Sequence, residues 1–310
     1  MSRPKTDRIC CTPLEACATA SSSLVPSLRR RMDRILIVGL GLIGGSYAEG
    51  LTRAGFEVGA LTRSRSSIDF ALQKGIISCG TTEIDPEWLG RWDVVICSLY
   101  PHVFKQWVRE NQQWLRSGAI ISDVTGVKGR IVPEIQSILR PDLEFVPAHP
   151  MAGREVYGVQ NADASIFHGA NFIITPTERN SEQAIARVEG LARHLGFRKI
   201  SRLSPEAHDE MIGFLSQLTH CIAVTLMDCK ESHHMVDYTG DSFRDLTRIA
   251  RINEDMWTEL FLENKEELLR QMDLFADKFK ELRDALEMED SGKMKQMMRL
   301  STERRSYFDK

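Results

Sequence analysis

Four consecutive apolar residues run straight into a glycine-rich turn in "RILIVGLGLIGGSYAEGL" (Arg34 to Leu51), and the turn opens a helical pattern. A Gly-x-Gly-x-x-Gly motif is weak by itself, but one that follows a strand and starts a helix is specific. Gly39 permits the tight turn, Gly41 lets backbone approach a pyrophosphate, and Gly44 lets strand and helix pack closely. N–H groups at the helix start would face the phosphates. The stretch therefore predicts the first turn of a dinucleotide-binding domain, with Gly39, Gly41, Leu42, Ile43 and Gly44 against the cofactor. A glycine-rich turn without ligand is the plainer alternative.

Alternation continues beyond the turn. "FEVGAL", "WDVVICSL", "AIISDV" and "LEFVPAHP" read as strands; "SIDFALQKG", "HVFKQWVRENQQWL" and Lys128 to Leu139 read as helices. Such a pattern predicts an α/β fold with a doubly wound, mostly parallel sheet, whose ligand lies beyond the carboxyl ends of the strands. Asp123, Thr125 and His149 fall at such ends, and Asp123 joins the expected cofactor-binding set. An NAD site usually carries an acid after the second strand. Here the sequence is Thr62, Arg63, Ser64, Arg65. Hydroxyls and guanidinium groups suit a 2′-phosphate, so NADP is expected over NAD, the alternative being a solvated loop.

At 310 residues, with 42% hydrophobic and 27% charged residues, the chain has the size and make-up of a two-domain globular protein. A net charge of −3 gives no electrostatic reason to expect nucleic acid or an anionic membrane as partner. No apolar run reaches the ~18 residues of a membrane span. Seven cysteines without a CxxC pair favour reduced thiols and a cytoplasmic location. The Ser- and Arg-rich residues 1–31 read as a disordered extension, with a transit peptide or a start assigned too early as alternatives. The expected domains are 32–178, binding the dinucleotide, and 179–310, helical.

"NFIITPTERN" is expected to close the sheet. In "SPEAHDEMIGFLSQLTHCIAVTLMDC" the helix is apolar almost all round and should be buried, with Gly213, Ser216, Gln217 and His220 in one polar strip. Ser242 with Asp245 reads as a capping box, and Arg248 follows as a surface residue able to pair with Asp245. Trp257 to Leu286 reads as one long amphipathic helix for a bundle or subunit interface. His233 and His234 are adjacent and point to different faces; no metal site is expected. His149, in "VPAHPMAGREVYG", is either a core histidine held by backbone or a functional one.

From Met32 to about Leu286 the chain resembles the prephenate/arogenate dehydrogenases of tyrosine biosynthesis, through "VGLGLIGGS", "SDVTGVKG", "HPMAGREVYG", "SQLTH", "SFRDLTRIA" and "MWTELFLEN". The resemblance implies a nucleotide-binding domain followed by a helical, homodimer-forming domain, with the active site in the cleft between them. It implies His149 as the catalytic histidine bonding the substrate's ring hydroxyl, and His220 and Arg248 as substrate anchors. Glu155 and Asp245 would help shape the site, and Ser216 of the polar strip is expected beside the substrate. Gly126 departs from the pattern, since several relatives carry a serine there that assists the histidine; Thr125 or a water would have to substitute. The reaction implied is oxidative decarboxylation of a small dianionic acid with no metal. Prephenate is preferred on a long-range charge argument involving Arg154, with arogenate as the alternative. A non-catalytic NADP sensor is the rival from another class. A β-hydroxyacid dehydrogenase is disfavoured because the helix of His220 offers no lysine before Lys230.

Overall fold

The computed structural model describes residues 32–231 and 233–309; the expected N-terminal extension lies outside them. β1 (Arg34–Val38), β2 (Glu57–Leu61), β3 (Cys79–Thr81), β4 (Val94–Cys97), β5 (Ile120–Asp123) and β6 (Glu144–Val146) form one parallel sheet in the order β3-β2-β1-β4-β5-β6. Helices α1 (Leu42–Arg53), α2 (Arg65–Gln73), α3 (Pro86–Leu89), α4 (Pro101–Asn111) and α5 (Ile131–Ile138) connect the strands. Successive side chains alternate faces. Ile35, Ile37, Val58 and Ile96 join one buried cluster, and Leu36, Val38, Val95 and Ile121 join the other. A sheet covered on both faces explains why its strands are continuously apolar. β1 lies between β2 and β4, so the strand order reverses at its carboxyl end, where Gly39 begins the turn.

The expected strand "LEFVPAHP" is two strands. β6 stops before Pro147, which has no N–H to give a ladder. The chain then enters a second, three-stranded sheet built from β7 (Ala148–Met151), β8 (Asn171–Ile174) and β9 (Lys199–Arg202). β8 pairs antiparallel with β7 and parallel with β9. "NFIITPTERN" thus belongs to this small sheet and does not close the large one. The helix α6 (Glu182–His194) leads to β9. The first compact unit consequently runs to Asp209 and regains Arg251–Glu263, so its border does not fall at 178/179.

The second unit comprises Glu210–Ala250 and Asn264–Lys310. α7 (Pro205–Ile212) leads through a π-helical turn (Gly213–Gln217) into α8 (Leu218–Asp228). Contrary to expectation, the whole stretch Pro205–Asp228 is long and apolar enough by composition to cross a membrane. Nor is it buried all round: the π turn shifts the helical phase, leaving Phe214 55% and Leu215 44% exposed while Gly213 and Gln217 are buried. The expected capping box is also absent. α9 (Asp241–Thr247) is capped at Gly240, and Ser242 lies inside the helix. The expected single helix from Trp257 splits into α10 (Glu254–Glu263), in the first unit, and α11 (Lys265–Glu287), in the second; α12 (Ser291–Ser306) follows. The break is Asn264, whose buried amide donates to Gln217 Oε1 at 2.7 Å. α10 is fastened within the first unit by Glu259 to His102 (2.8 Å) and by Lys105 to Glu263 (2.7 Å).

Candidate active site

The glycine turn has the shape a dinucleotide needs. Gly39 takes φ +93°, a left-handed conformation, and a Cβ there would sit 2.2 Å from the Ser98 carbonyl oxygen. A Cβ at Gly44 would meet the Gly39 oxygen at 2.0 Å, so both positions exclude side chains for internal reasons. Gly41 differs: nothing lies within 4 Å of a Cβ built on it. Open space there leaves room for a phosphate, beside the first-turn N–H groups of Leu42, Ile43 and Gly44, which precede the first helical bond from Gly45 to Gly41. No acid sits in that turn. At the end of β2, Ser64 caps α2 by accepting from the Ser67 N–H at 3.2 Å. Arg65 pairs with Asp69 at 2.9 Å, and Arg63 is exposed beside the cap.

Around His149 lies a buried polar network. Lys128, whose side chain is fully buried, places Nζ 2.6 Å from Asp123 Oδ2, 2.7 Å from the Ala148 carbonyl oxygen and 3.0 Å from Thr125 Oγ1. Asp123 also accepts the Ala148 N–H at 3.0 Å, the Thr125 N–H at 3.1 Å and the Thr125 hydroxyl. Burial pulls Lys128 below the ordinary lysine range, against the opposing pull of Asp123 and Asp209. Asp123 thus ties its own loop to β7, and the Thr125 hydroxyl turns to Asp123.

The group that meets His149 is His208. His149 Nδ1 and His208 Nε2 are 2.9 Å apart, and His208 Nδ1 lies 2.7 Å from Asp209 Oδ1. Asp209 accepts the backbone N–H groups of Lys128 (2.8 Å) and Gly129 (2.6 Å). Those bonds hold residues 128–130 as a turn, which is why α5 starts three residues later than expected. Burial lowers His149 well below the usual histidine value, and His208 and Lys128 add to the shift. Burial lowers His208 as well, partly offset by Asp209. The His149 ring is thus held from behind through Nδ1, and burial favours its neutral form. A Cβ on Gly126 would meet Leu260 at 3.7 Å and His149 Cε1 at 3.8 Å, ordinary van der Waals contacts. Lys128, His208 and Asp209 were missed in the sequence reading, although Lys128 stands in the quoted "SDVTGVKG" and the other two in "SPEAHDEM".

Residues 47–201 match the family model described as the prephenate dehydrogenase nucleotide-binding domain, and residues 204–300 match the prephenate dehydrogenase dimerization domain. The chain belongs to the prephenate dehydrogenase family. It is 30% identical to a prephenate dehydrogenase of Lactococcus lactis subsp. cremoris over 84% of this chain and 73% of that protein. It is also 30% identical to the cyclohexadienyl dehydrogenase of Zymomonas mobilis over 83% of this chain and 89% of the relative. Among solved structures it is similar to the Aquifex aeolicus prephenate dehydrogenase in complex with hydroxyphenyl propionate and NAD+, with a TM-score of 0.83 and 29% identity over 90% of this chain and 99% of the other.

The structure brings Thr125, Asp123 and His149 together in the first unit. The other residues expected at a prephenate dehydrogenase site lie apart in the chain. In the second unit, His220 directs Nδ1 to the Ser216 carbonyl oxygen at 2.8 Å, which fixes the hydrogen of that nitrogen. Ser216 is itself partly exposed in the π turn, Asp245 is exposed on α9, and Arg248 is exposed at the start of the next helical turn. Glu155 is exposed in the loop after β7. Its neighbour Arg154 pairs with Asp163 at 3.0 Å, so its charge is already met by a carboxylate.

Proposed function

We propose that the chain oxidises prephenate to 4-hydroxyphenylpyruvate with loss of carbon dioxide, using His149 as hydrogen-bond acceptor for the ring hydroxyl. The observation that carries this reading is the His149 imidazole at the end of the strand bundle, its Nδ1 2.9 Å from His208 Nε2 and its Cε1 facing the side-chain-free Gly126. A base whose pKa lies below the working pH is already deprotonated when substrate arrives. The bound nicotinamide dinucleotide supplies the hydride acceptor. His149 takes up the hydroxyl proton as the ring carbonyl forms, and aromatisation then drives loss of the ring carboxylate. Arg248 and His220 are the proposed anchors of the two carboxylates, since guanidinium offers a bidentate fork for one of them. Glu155, Asp245 and Ser216 are proposed to border the substrate. Gly39, Gly41, Leu42, Ile43 and Gly44 are proposed to hold the pyrophosphate, and Thr62, Arg63 and Ser64 the 2′-phosphate of NADP, as no acid stands between Leu61 and Asp69 to repel it.

The second unit is proposed to be covered by a second copy of the chain. Phe214, Leu215, Leu269, Phe275 and Phe279 lie exposed on it, and its sequence matches a dimerization domain. The four described cysteines are free thiols, in keeping with a cytoplasmic location.

Arogenate is the second reading. It gains from the Arg154–Asp163 pair, which removes the free cation that favoured the keto acid. Competition of prephenate and arogenate in one assay, with NAD and NADP in turn, tests the proposal. Turnover of prephenate with a rise in reduced-cofactor absorbance is expected. Cofactor binding without turnover of either acid would leave only a sensor. Replacing His149 by Asn is expected to lower kcat by about 100-fold or more with little change in KM; unchanged kcat would remove His149 as the base.

A further inference from the structure

Resting on the assignment of His149 as the base, we propose that His208 and Asp209 are its positioning residues: they lock the His149 hydrogen onto Nδ1 and present Nε2 as the acceptor. The order of protons follows from the far end. Both oxygens of Asp209 accept N–H groups, Lys128 on Oδ1 and Gly129 on Oδ2. His208 Nδ1, 2.7 Å from Oδ1, must therefore bring the hydrogen, because two lone pairs facing each other at that distance repel. His208 is completely buried, and burial favours its neutral form. A neutral ring with its hydrogen on Nδ1 has a lone pair on Nε2. That lone pair faces His149 Nδ1 at 2.9 Å, so His149 donates there and keeps its own lone pair on Nε2. One carboxylate thus sets the tautomer of a ring that it does not touch.

The same chain of bonds serves the charged state. When His149 Nε2 accepts the substrate proton, the Nδ1 hydrogen can pass to His208 Nε2, and the positive charge moves one residue nearer Asp209. Lys128 and Asp123 also face this region: Lys128 opposes a charge on either ring, while Asp123, paired with it at 2.6 Å, favours one on His208. Asp209, hydrogen-bonded to His208, is the acid that most favours a protonated relay.

Two replacements of His208 separate positioning from bulk structure. A glutamine can accept from His149 with its carbonyl and donate to Asp209 with its amide; a leucine can do neither. His208→Gln is expected to retain at least about a tenth of kcat, and His208→Leu to lose about 100-fold or more, with KM within about threefold for both. In 15N-histidine NMR of the full-length protein, His149 should carry its hydrogen on Nδ1 in wild type and His208→Gln, and become a tautomer mixture in His208→Leu. Asp209→Asn should move the acidic limb of the kcat/KM profile to lower pH, since the carboxylate that favours the protonated relay is gone. Equal kcat in folded His208→Gln and His208→Leu, or a wild-type His149 with its hydrogen on Nε2, would overturn the relay. If His149→Asn is inactive while His208→Leu matches wild type, only the relay fails. If His149→Asn keeps full turnover, the underlying base assignment fails, whereas the NMR still reports the tautomer.

Discussion

Replacing Lys128 by Met removes the cation from a fully buried pair while nearly preserving its volume. Nζ lies 2.6 Å from Asp123 Oδ2, and neither side chain reaches solvent. Breaking such a pair from one side costs about 3–5 kcal/mol, because an uncompensated charge stays behind. Asp123 would keep the N–H groups of Thr125 and Ala148 and the Thr125 hydroxyl, which places the loss near the lower end, about 3 kcal/mol. Against a typical total of about 5–15 kcal/mol, that is a large share.

All five tryptophans, Trp88, Trp92, Trp107, Trp114 and Trp257, belong to the first unit. Urea unfolding followed by tryptophan fluorescence therefore reads the unit that holds Lys128. The variant is expected to lose about 3 kcal/mol at neutral pH. Adding Asp123→Asn to Lys128→Met should restore part of the loss, by neutralising the stranded acid. A loss under about 1 kcal/mol would refute the argument that this pair holds a charge inside the fold.

Gly41→Ala and Gly44→Ala should part company. The first meets nothing within 4 Å and should keep the melting temperature while raising the cofactor KM about tenfold; the second forces a Cβ to 2.0 Å from a carbonyl oxygen and should cost about 3 kcal/mol by thermal or urea unfolding. Arg63→Ala should raise the KM for NADP by about tenfold or more and leave that for NAD within about twofold, as expected for loss of one charge-assisted hydrogen bond; equal effects on both cofactors would remove the 2′-phosphate role. Gly126→Ser should fold and stay active, with stability within about 1 kcal/mol of the parent, because the added Cβ makes only ordinary contacts with Leu260 and His149; inactivation on purification would show the space to be needed empty.

The parallel sheet, its glycine turn and the place of His149 near the strand ends were legible because each is written locally: apolar runs, glycines at fixed offsets, one histidine after an apolar run. The relay behind His149 was not. His208 and Asp209 lie 59 and 60 residues further along, on a helix whose composition looks like an ordinary amphipathic start, and no local spacing announces that they return beneath β7. Lys128 was hidden for a related reason. A lysine at the expected start of a helix reads as solvated, and only the convergence of Asp123, Thr125 and the Ala148 carbonyl makes its burial tolerable. The split of the predicted long helix at Asn264 had a signal, a polar residue on an apolar ladder. It was overlooked because the spacing of three and four continues unbroken across it.

Ala148 shows why the charged pair and the histidine belong to one piece of architecture. The chain leaves the large sheet at Pro147 and joins the small one, where Pro147 gives its carbonyl to the Thr175 N–H at 3.0 Å. In an antiparallel ladder, alternate residues turn their N–H and C=O away from the paired strand. Ala148 is that alternate residue, and its two backbone groups turn toward the end of β5. They meet Asp123 Oδ1 and Lys128 Nζ, an acceptor for the donor and a donor for the acceptor. An apolar pair at 123 and 128 would pack, but it would leave both groups buried without partners, at a cost of about 1–3 kcal/mol each. The salt bridge is thus retained for what its two ends do to the backbone one residue before His149. It completes the change of sheet, and in doing so fixes the direction from which the imidazole leaves the chain.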